Sequence, residues 1–216
     1  MAQGMDEKAL KRQKYGIPTY SLAEELLNSI SHGIGAGLGI AALVLCIVKS
    51  AHAGDGYKLA SSIVFGLTTT LLYLMSCLYH AKKVFRVFDH CTIFLLIAGT
   101  YTPYTLVTLR GPAGWVMFGI VWAVAITGVV LNAVNLKKFA KISVVCYVAL
   151  GWVILLATKT LVANLAYPGL VLLVAYTVGA VLYAIGSKKK YFHSIFHFFC
   201  LIGTVLHFFS IYFYVL

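Results

Sequence analysis

Apolar residues run along this chain in stretches about twenty residues long, punctuated by short clusters of glycine, proline and lysine. A run of that length matches the roughly 30 Å hydrocarbon thickness of a bilayer when coiled as an α-helix. Seven such runs are read here, at about Ile30–Ser50, Leu59–Tyr79, Cys91–Leu109, Ala113–Leu131, Ile142–Thr160, Tyr167–Ile185 and Tyr191–Leu216. All connections between them are short. The pattern therefore predicts an all-α integral membrane protein, a seven-transmembrane helix bundle over residues 20–216, preceded by a basic tail over residues 1–19. Ahead of the first run, "YSLAEELLNSISHG" sets Ser21 three residues before Glu24, the spacing of a capping box, and predicts a short N-terminal interfacial helix. "GIGAGLG" then places Gly33 with Gly37, and Gly35 with Gly39, at the spacing that lets two membrane helices approach closely. Pro103, inside the third run, is expected to bend that helix.

Charge orients the bundle. Lys8, Lys11, Arg12 and Lys14 precede the first run; Lys82, Lys83 and Arg86 follow the second; Lys137, Lys138 and Lys141 follow the fourth; Lys188, Lys189 and Lys190 follow the sixth. Those are 13 of the 17 basic residues, all on one side if the runs alternate in direction. Lys49, Lys58, Arg110 and Lys159 fall on the other. Such a bias puts the N-terminus in the cytoplasm and the C-terminus outside.

Composition agrees. The 216 residues are 61% hydrophobic and 11% charged, and mean hydropathy is +0.92. A soluble domain of this size could not cover so much apolar surface. The net charge of +11 is read as orienting charge and as attraction to anionic headgroups, with membrane lipids as partners and no nucleic acid. A homo-oligomer stays open. The opening twenty residues are polar and basic, so no cleaved signal peptide is expected. The five cysteines, at 46, 77, 91, 146 and 200, show no CxxC pairing and read as small hydrophobes rather than disulfides.

Polar residues are expensive in a membrane, and their depth is informative. His80 ends the second run, Asp89 begins the third, and His193 and His197 begin the seventh, all at the cytoplasmic end. His193 and His197, at i and i+4, share one helix face. Ser76 lies four residues before His80, on the same face and about 6 Å deeper. Three neutral imidazoles with an open position form a pattern that suits catalytic Zn2+, which lowers the pKa of a bound water to about 7. Asp89 would accept or orient the water's proton, and Ser76 would hold the water or an oxyanion. A cavity open to lipid points to a lipid-like substrate with an amide or ester carbonyl. Glu25, Asn28 and His32 sit at the same entrance, either supporting the metal ligands or simply capping and packing. Blander readings stand beside these: interfacial histidines, an Asp89 ion pair with Arg86 or Lys82, a Ser76 bonded to its own helix. His52 reads as an interfacial side chain. His90 is expected to point away from Asp89, because neighbouring residues diverge by about 100° on a helix. His207 lies about 21 Å beyond His193 and cannot share its metal. Cys200 reads as packing.

The segments "YSLAEELLNSISHGIG", "LYH", "FDHCTIFLLIAGTYTPY" and "HSIFHFFCLIGTVLHFF" resemble the hemolysin III family of bacterial membrane proteins, within the progestin and adipoQ receptor (PAQR) superfamily. The resemblance implies seven membrane helices with a cytoplasmic N-terminus in the plasma membrane of a bacterium. It implies zinc on His80, His193 and His197, with Asp89 contacting it through water and Ser76 matching the family's serine. Through relatives linked to ceramide hydrolysis it implies a zinc-dependent amide hydrolase. It also implies ties to haemolysis and membrane homeostasis. Two other functions remain open beside hydrolysis: a pore-forming cytolysin, and a sensor of membrane state whose zinc is structural. A pore needs a polar face through the outer half, where the sequence offers His207, Asn164 and scattered hydroxyls.

Overall fold

A computed structural model describes residues 20–153, 156 and 191–216. The predicted tail 1–19, the sixth run Tyr167–Ile185, Lys159, Asn164 and the lysine triplet 188–190 lie outside the described residues. Every regular element among the described residues is helical. They are α1 (Leu22–Ala53), α2 (Gly56–Ala81), a 3-10 turn (Lys83–Phe85), α3 (Arg86–Pro103) with a π-helical end (Tyr104–Thr108), α4 (Pro112–Val153), and α5 (Phe192–Ser210) with a π-helical end (Ile211–Val215). Among the described residues, five helices are long and apolar enough to cross a membrane.

The local chemistry explains the boundaries. Ser21 and Glu24 form the predicted capping box. It opens α1 itself, which runs unbroken into the apolar stretch, so the segment read as interfacial forms the first turns of this helix. Gly54 closes α1 at φ 64°, a backbone region that costs glycine nothing. Asp55 then caps α2 by accepting from the Tyr57 N–H at 2.8 Å. Pro103 closes the α-helical part of α3 without breaking the helical path. The helix continues through it and widens into the π-helical turn, where the Leu109 N–H reaches back five residues to the Tyr104 carbonyl at 2.8 Å.

The 42-residue α4 is two helices joined at Asn135, whose φ of −158° and ψ of 85° are not helical. A straight helix would hold Asn132 and Ser143 about 16 Å apart. Instead the Ser143 hydroxyl donates to Asn132 Oδ1 at 2.6 Å. The chain doubles back, and the runs predicted at 113–131 and 142–160 lie side by side as far as they are described.

Packing is inverted relative to a soluble protein. On α1, Leu26, Ile30, Ile34 and Leu38 face outward, whereas Asn28, Ser31, His32 and Ser50 are buried. Apolar outside and polar inside is what a lipid solvent selects. Of the two glycine pairs in α1, Gly35 and Gly39 make the close approach to α2. A Cβ on Gly35 would meet the Tyr73 ring at 2.5 Å, and one on Gly39 would meet Thr70 at 2.9 Å. Tyr73, fully buried on α2, donates to Thr204 Oγ1 at 2.7 Å on α5 and tethers the three helices.

These contacts give the bundle two polar ends. One gathers Asp55 with Arg110 (2.9 Å), and the Lys58 ammonium on the Leu216 carbonyl at 2.7 Å. The other gathers the starts of α1, α3 and α5 and the end of α2.

Candidate metal centre

At that second end the histidines converge. His80 from α2 and His193 and His197 from α5 each offer a ligand atom, and these atoms lie within 4.8 Å of one another. His193 Nε2 and His197 Nε2 are 3.0 Å apart. His80 and His197 are buried, at 5% and 2% exposure.

Glu25, one turn into α1, sets the chemistry of His80. Its Oε2 lies 2.7 Å from His80 Nδ1, and its other oxygen pairs with Lys83. A carboxylate beside Nδ1 holds the proton there and leaves the Nε2 lone pair free. That Nε2 is buried and has no hydrogen-bond partner. A carboxylate behind an imidazole that presents its other nitrogen is the usual support for a metal-binding histidine. Nitrogens bound at about 2.0–2.1 Å around a tetrahedral zinc are roughly 3.4 Å apart, so small side-chain rotations bring this group to ligating distance. The donor set therefore fits a metal of zinc's preferences. All-imidazole ligation also suits other first-row ions.

Asp89 is 8% exposed in the first turn of α3, where the helix dipole favours a carboxylate. Ser76 on α2 faces the carboxylate, whose charge reaches both His80 and His193. Ser76 and Asp89 thus approach each other across α2 and α3. His90, expected to point away from Asp89, turns toward it. Its Nδ1 donates to the Arg86 carbonyl at 2.9 Å and lies 3.2 Å from Asp89 Oδ2. Neighbouring Cα–Cβ vectors diverge, but an imidazole reaching back toward the preceding turn passes its neighbour's carboxylate. His207 hydrogen-bonds the Gly203 carbonyl at 2.8 Å, one helical turn earlier on its own helix. His52, exposed, contacts the Val48 carbonyl at 2.7 Å.

The stripe on α1 faces the same cluster. The His32 ring stacks on His197 with centroids 3.8 Å apart, and Asn28 is fully buried. Three residues to which spacing along the chain assigned no role at this cluster also belong here. Tyr20 stacks on His193 at 4.8 Å, nearly parallel. Lys83 lies 4.5 Å over the Tyr79 ring while it pairs with Glu25. Glu24, expected only to cap, also accepts from the Tyr191 N–H at 2.7 Å and pins the start of α5 to the start of α1. An acid pair at the head of an amphipathic helix was the available signal, since two adjacent carboxylates cannot both serve one cap.

Comparison with known proteins identifies the family. A family profile described as haemolysin-III related matches residues 20–208. Hemolysin-3 of Bacillus cereus is 41% identical, over 92% of this chain and 94% of its own length. The Hemolysin-3 homolog of Bacillus subtilis is 38% identical, over 90% and 96%. The human monocyte to macrophage differentiation factor, a distant relative of the PAQR type, is 22% identical, over 96% and 90%. With apolar membrane-length helices and a profile match along most of its length, this chain is an integral membrane protein that belongs to the haemolysin III family.

Proposed function

We propose that this protein is a zinc-dependent membrane hydrolase that cleaves a lipid-like amide or ester and so contributes to membrane homeostasis. His80, His193 and His197 hold the metal. Bound there, zinc supplies Lewis acidity toward a carbonyl and lowers the pKa of a water to about 7. Glu25 keeps the His80 proton on Nδ1, so that Nε2 faces the cluster as a lone pair. The Asp89 carboxylate, held by Ser76 and flanked by His90, takes a proton from the attacking water and passes it to the leaving nitrogen or oxygen. Water and an amide thereby become a carboxylic acid and an amine, or water and an ester an acid and an alcohol. The single observation that carries this reading is the buried, unpartnered His80 Nε2 backed by Glu25 at 2.7 Å.

The chain is assigned seven membrane helices with the N-terminus and residues 1–19 in the cytoplasm. The lysine distribution supports this, as does the position of α5. Tyr101 on α3 bonds the Leu150 carbonyl at 2.6 Å, toward the end opposite the histidines, yet α5 starts beside them. The run Tyr167–Ile185 would supply the crossing between. Impermeant thiol labelling of Lys58→Cys on intact cells tests this: reaction from outside is expected, and protection overturns the orientation.

Hydrolysis is tested with the purified protein in nanodiscs, loaded with zinc and given a panel of fatty amides and esters. Turnover is expected, with Asp89→Asn slower by on the order of 100-fold or more. A zinc-loaded wild type that cleaves none of the panel overturns the hydrolase reading. A second reading, pore formation, rests on the name of the Bacillus cereus relative and on buried hydroxyls that continue past His197. Tyr73 bonds Thr204 at 2.7 Å, and Tyr104 bonds Ser210 at 2.8 Å. Dye release from liposomes, undiminished in His80→Ala, would favour it. A third, a membrane-state sensor with structural zinc, predicts that Asp89→Asn rescues a deletion as well as wild type.

A further inference from the structure

Glu25, Asn28 and His32 occupy positions i, i+3 and i+7 of α1 and form one stripe along that helix. Two of the three are fixed against the histidines by contact. Glu25 bonds His80 at 2.7 Å, and the His32 ring stacks on His197 at 3.8 Å. Asn28 lies between them on the same stripe and is 0% exposed.

Asn28 Oδ1 and Nδ2 are buried without a hydrogen-bond partner, and so are both ring nitrogens of His32 and the Ser194 hydroxyl one turn before His197. Buried polar atoms in folded proteins are nearly always paired, because an unpaired one loses its water and regains nothing. Another buried amide in this protein obeys that rule. Asn132 accepts from Ser143 at 2.6 Å and reaches the His90 carbonyl and the Tyr147 hydroxyl, each at 3.3 Å. Among the described residues, Asn28, His32, His80, Ser194 and His197 together hold seven buried polar atoms without a hydrogen-bond partner. The deficit is concentrated at one place. A metal answers for imidazole nitrogens directed at it, but not for a carboxamide whose oxygen needs a donor and whose nitrogen needs an acceptor.

We propose that Asn28, with His32 beside it, is the subsite that receives a neutral group able both to donate and to accept a hydrogen bond, an amide or a hydroxyl carried on an acyl chain. The assignment rests on the reading that a lipid-like substrate is held beside the histidines. A secondary amide offers one N–H and one carbonyl, and satisfies Asn28 in both senses. A hydroxyl does the same with one atom. An ester or a carboxylate only accepts, and would leave Asn28 Oδ1 unpaired. Sites built around a buried polar pair discriminate strongly against analogues that lack the partner.

The test is binding, without turnover, to the full chain in nanodiscs. N-methyloleamide, oleyl alcohol and methyl oleate compete against a fluorescent oleoyl probe, and zinc content is measured on the same samples. Wild type is expected to bind N-methyloleamide or oleyl alcohol more tightly than methyl oleate by on the order of tenfold or more. The tighter of the two identifies the group. In Asn28→Leu the preference collapses while methyl oleate affinity and zinc content stay at wild-type values. Should the leucine variant fail to fold, Asn28→Asp keeps the size, removes the donor, and is expected to lose affinity for N-methyloleamide. A wild type that does not distinguish the probes, or a preference that persists in the variants, overturns the subsite and leaves water as the partner of Asn28. Because no bond is broken, a protein that proves not to be a hydrolase still gives a clear answer here.

Discussion

Glu25 is the most informative residue to change, because it touches the proposed ligand His80 without being a ligand itself. Its Oε2 lies 2.7 Å from His80 Nδ1, a short charge-assisted contact. The His80 side chain is 1% exposed, so no bulk water replaces the carboxylate if it is removed. Removing the outer partner of a metal-bound histidine lowers metal affinity by about 10–100-fold, which is about 1.4–2.8 kcal/mol. Glu25→Gln keeps an acceptor and loses the charge, and is expected near the lower bound. Glu25→Ala leaves Nδ1 buried and unpaired, and is expected near the upper. Lys83→Met serves as the control: it removes the competing cation from Glu25 and should not weaken the metal. Zinc affinity is read by competition with a chromophoric chelator on detergent-purified protein. Wild-type affinity in both Glu25 variants, alongside loss of zinc in His80→Ala, would refute the idea that this carboxylate sets the tautomer of His80.

Helix packing gives a matched pair of predictions. Gly35→Ala drives a methyl into a Tyr73 ring that Thr204 holds at 2.7 Å, and overpacking of this kind costs about 1–3 kcal/mol. Gly37→Ala meets nothing within 4 Å and should leave stability unchanged or raise it by about 0.5–1 kcal/mol. Thermal unfolding in micelles distinguishes them, and equal effects would contradict the α1–α2 interface. At the other end, the Tyr57 N–H, with Arg110 adjacent, holds the Asp55 carboxyl below its ordinary value of 3.8. A lowered folded value means that the charge stabilises fully above 3.8 and that this contribution disappears as pH falls through the lowered value. Asp55→Asn, which still caps α2, should therefore be less stable than wild type at neutral pH and converge with it in strong acid. Parallel melting curves at all pH values would show that the carboxylate charge contributes nothing.

Much of this was legible in the sequence. His80, Asp89, and His193 with His197 could be assigned to one end of the bundle, with Ser76 a turn deeper on the face of His80, because helical spacing fixes the face and alternating helix direction fixes the level. The structure brings the three histidines together and sets Ser76 beside Asp89. What spacing does not carry is azimuth between helices. Glu24 and Glu25 are adjacent acids, yet one turns toward Tyr191 and the other toward His80. Only the rotation of α1 against α2 decides which. Similarly, a 100° divergence between neighbours describes Cβ directions, and a long planar ring such as that of His90 can swing back across it. Tyr20 and Lys83 lie in connections, where no period predicts contact. The reversal at Asn135 was readable as a gap between two apolar runs, since Lys137, Lys138 and Lys141 interrupt them; the Asn132–Ser143–Tyr147 bonds that close it were not.

Everything proposed for the site requires three imidazoles to share one ion. The direct measurement is metal content by elemental mass spectrometry on purified protein, equilibrated with zinc and washed free of excess. The expected result is about one zinc per chain in wild type, and loss of most of it in each of His80→Ala, His193→Ala and His197→Ala. No zinc in the wild type, or full zinc in all three variants, would contradict it.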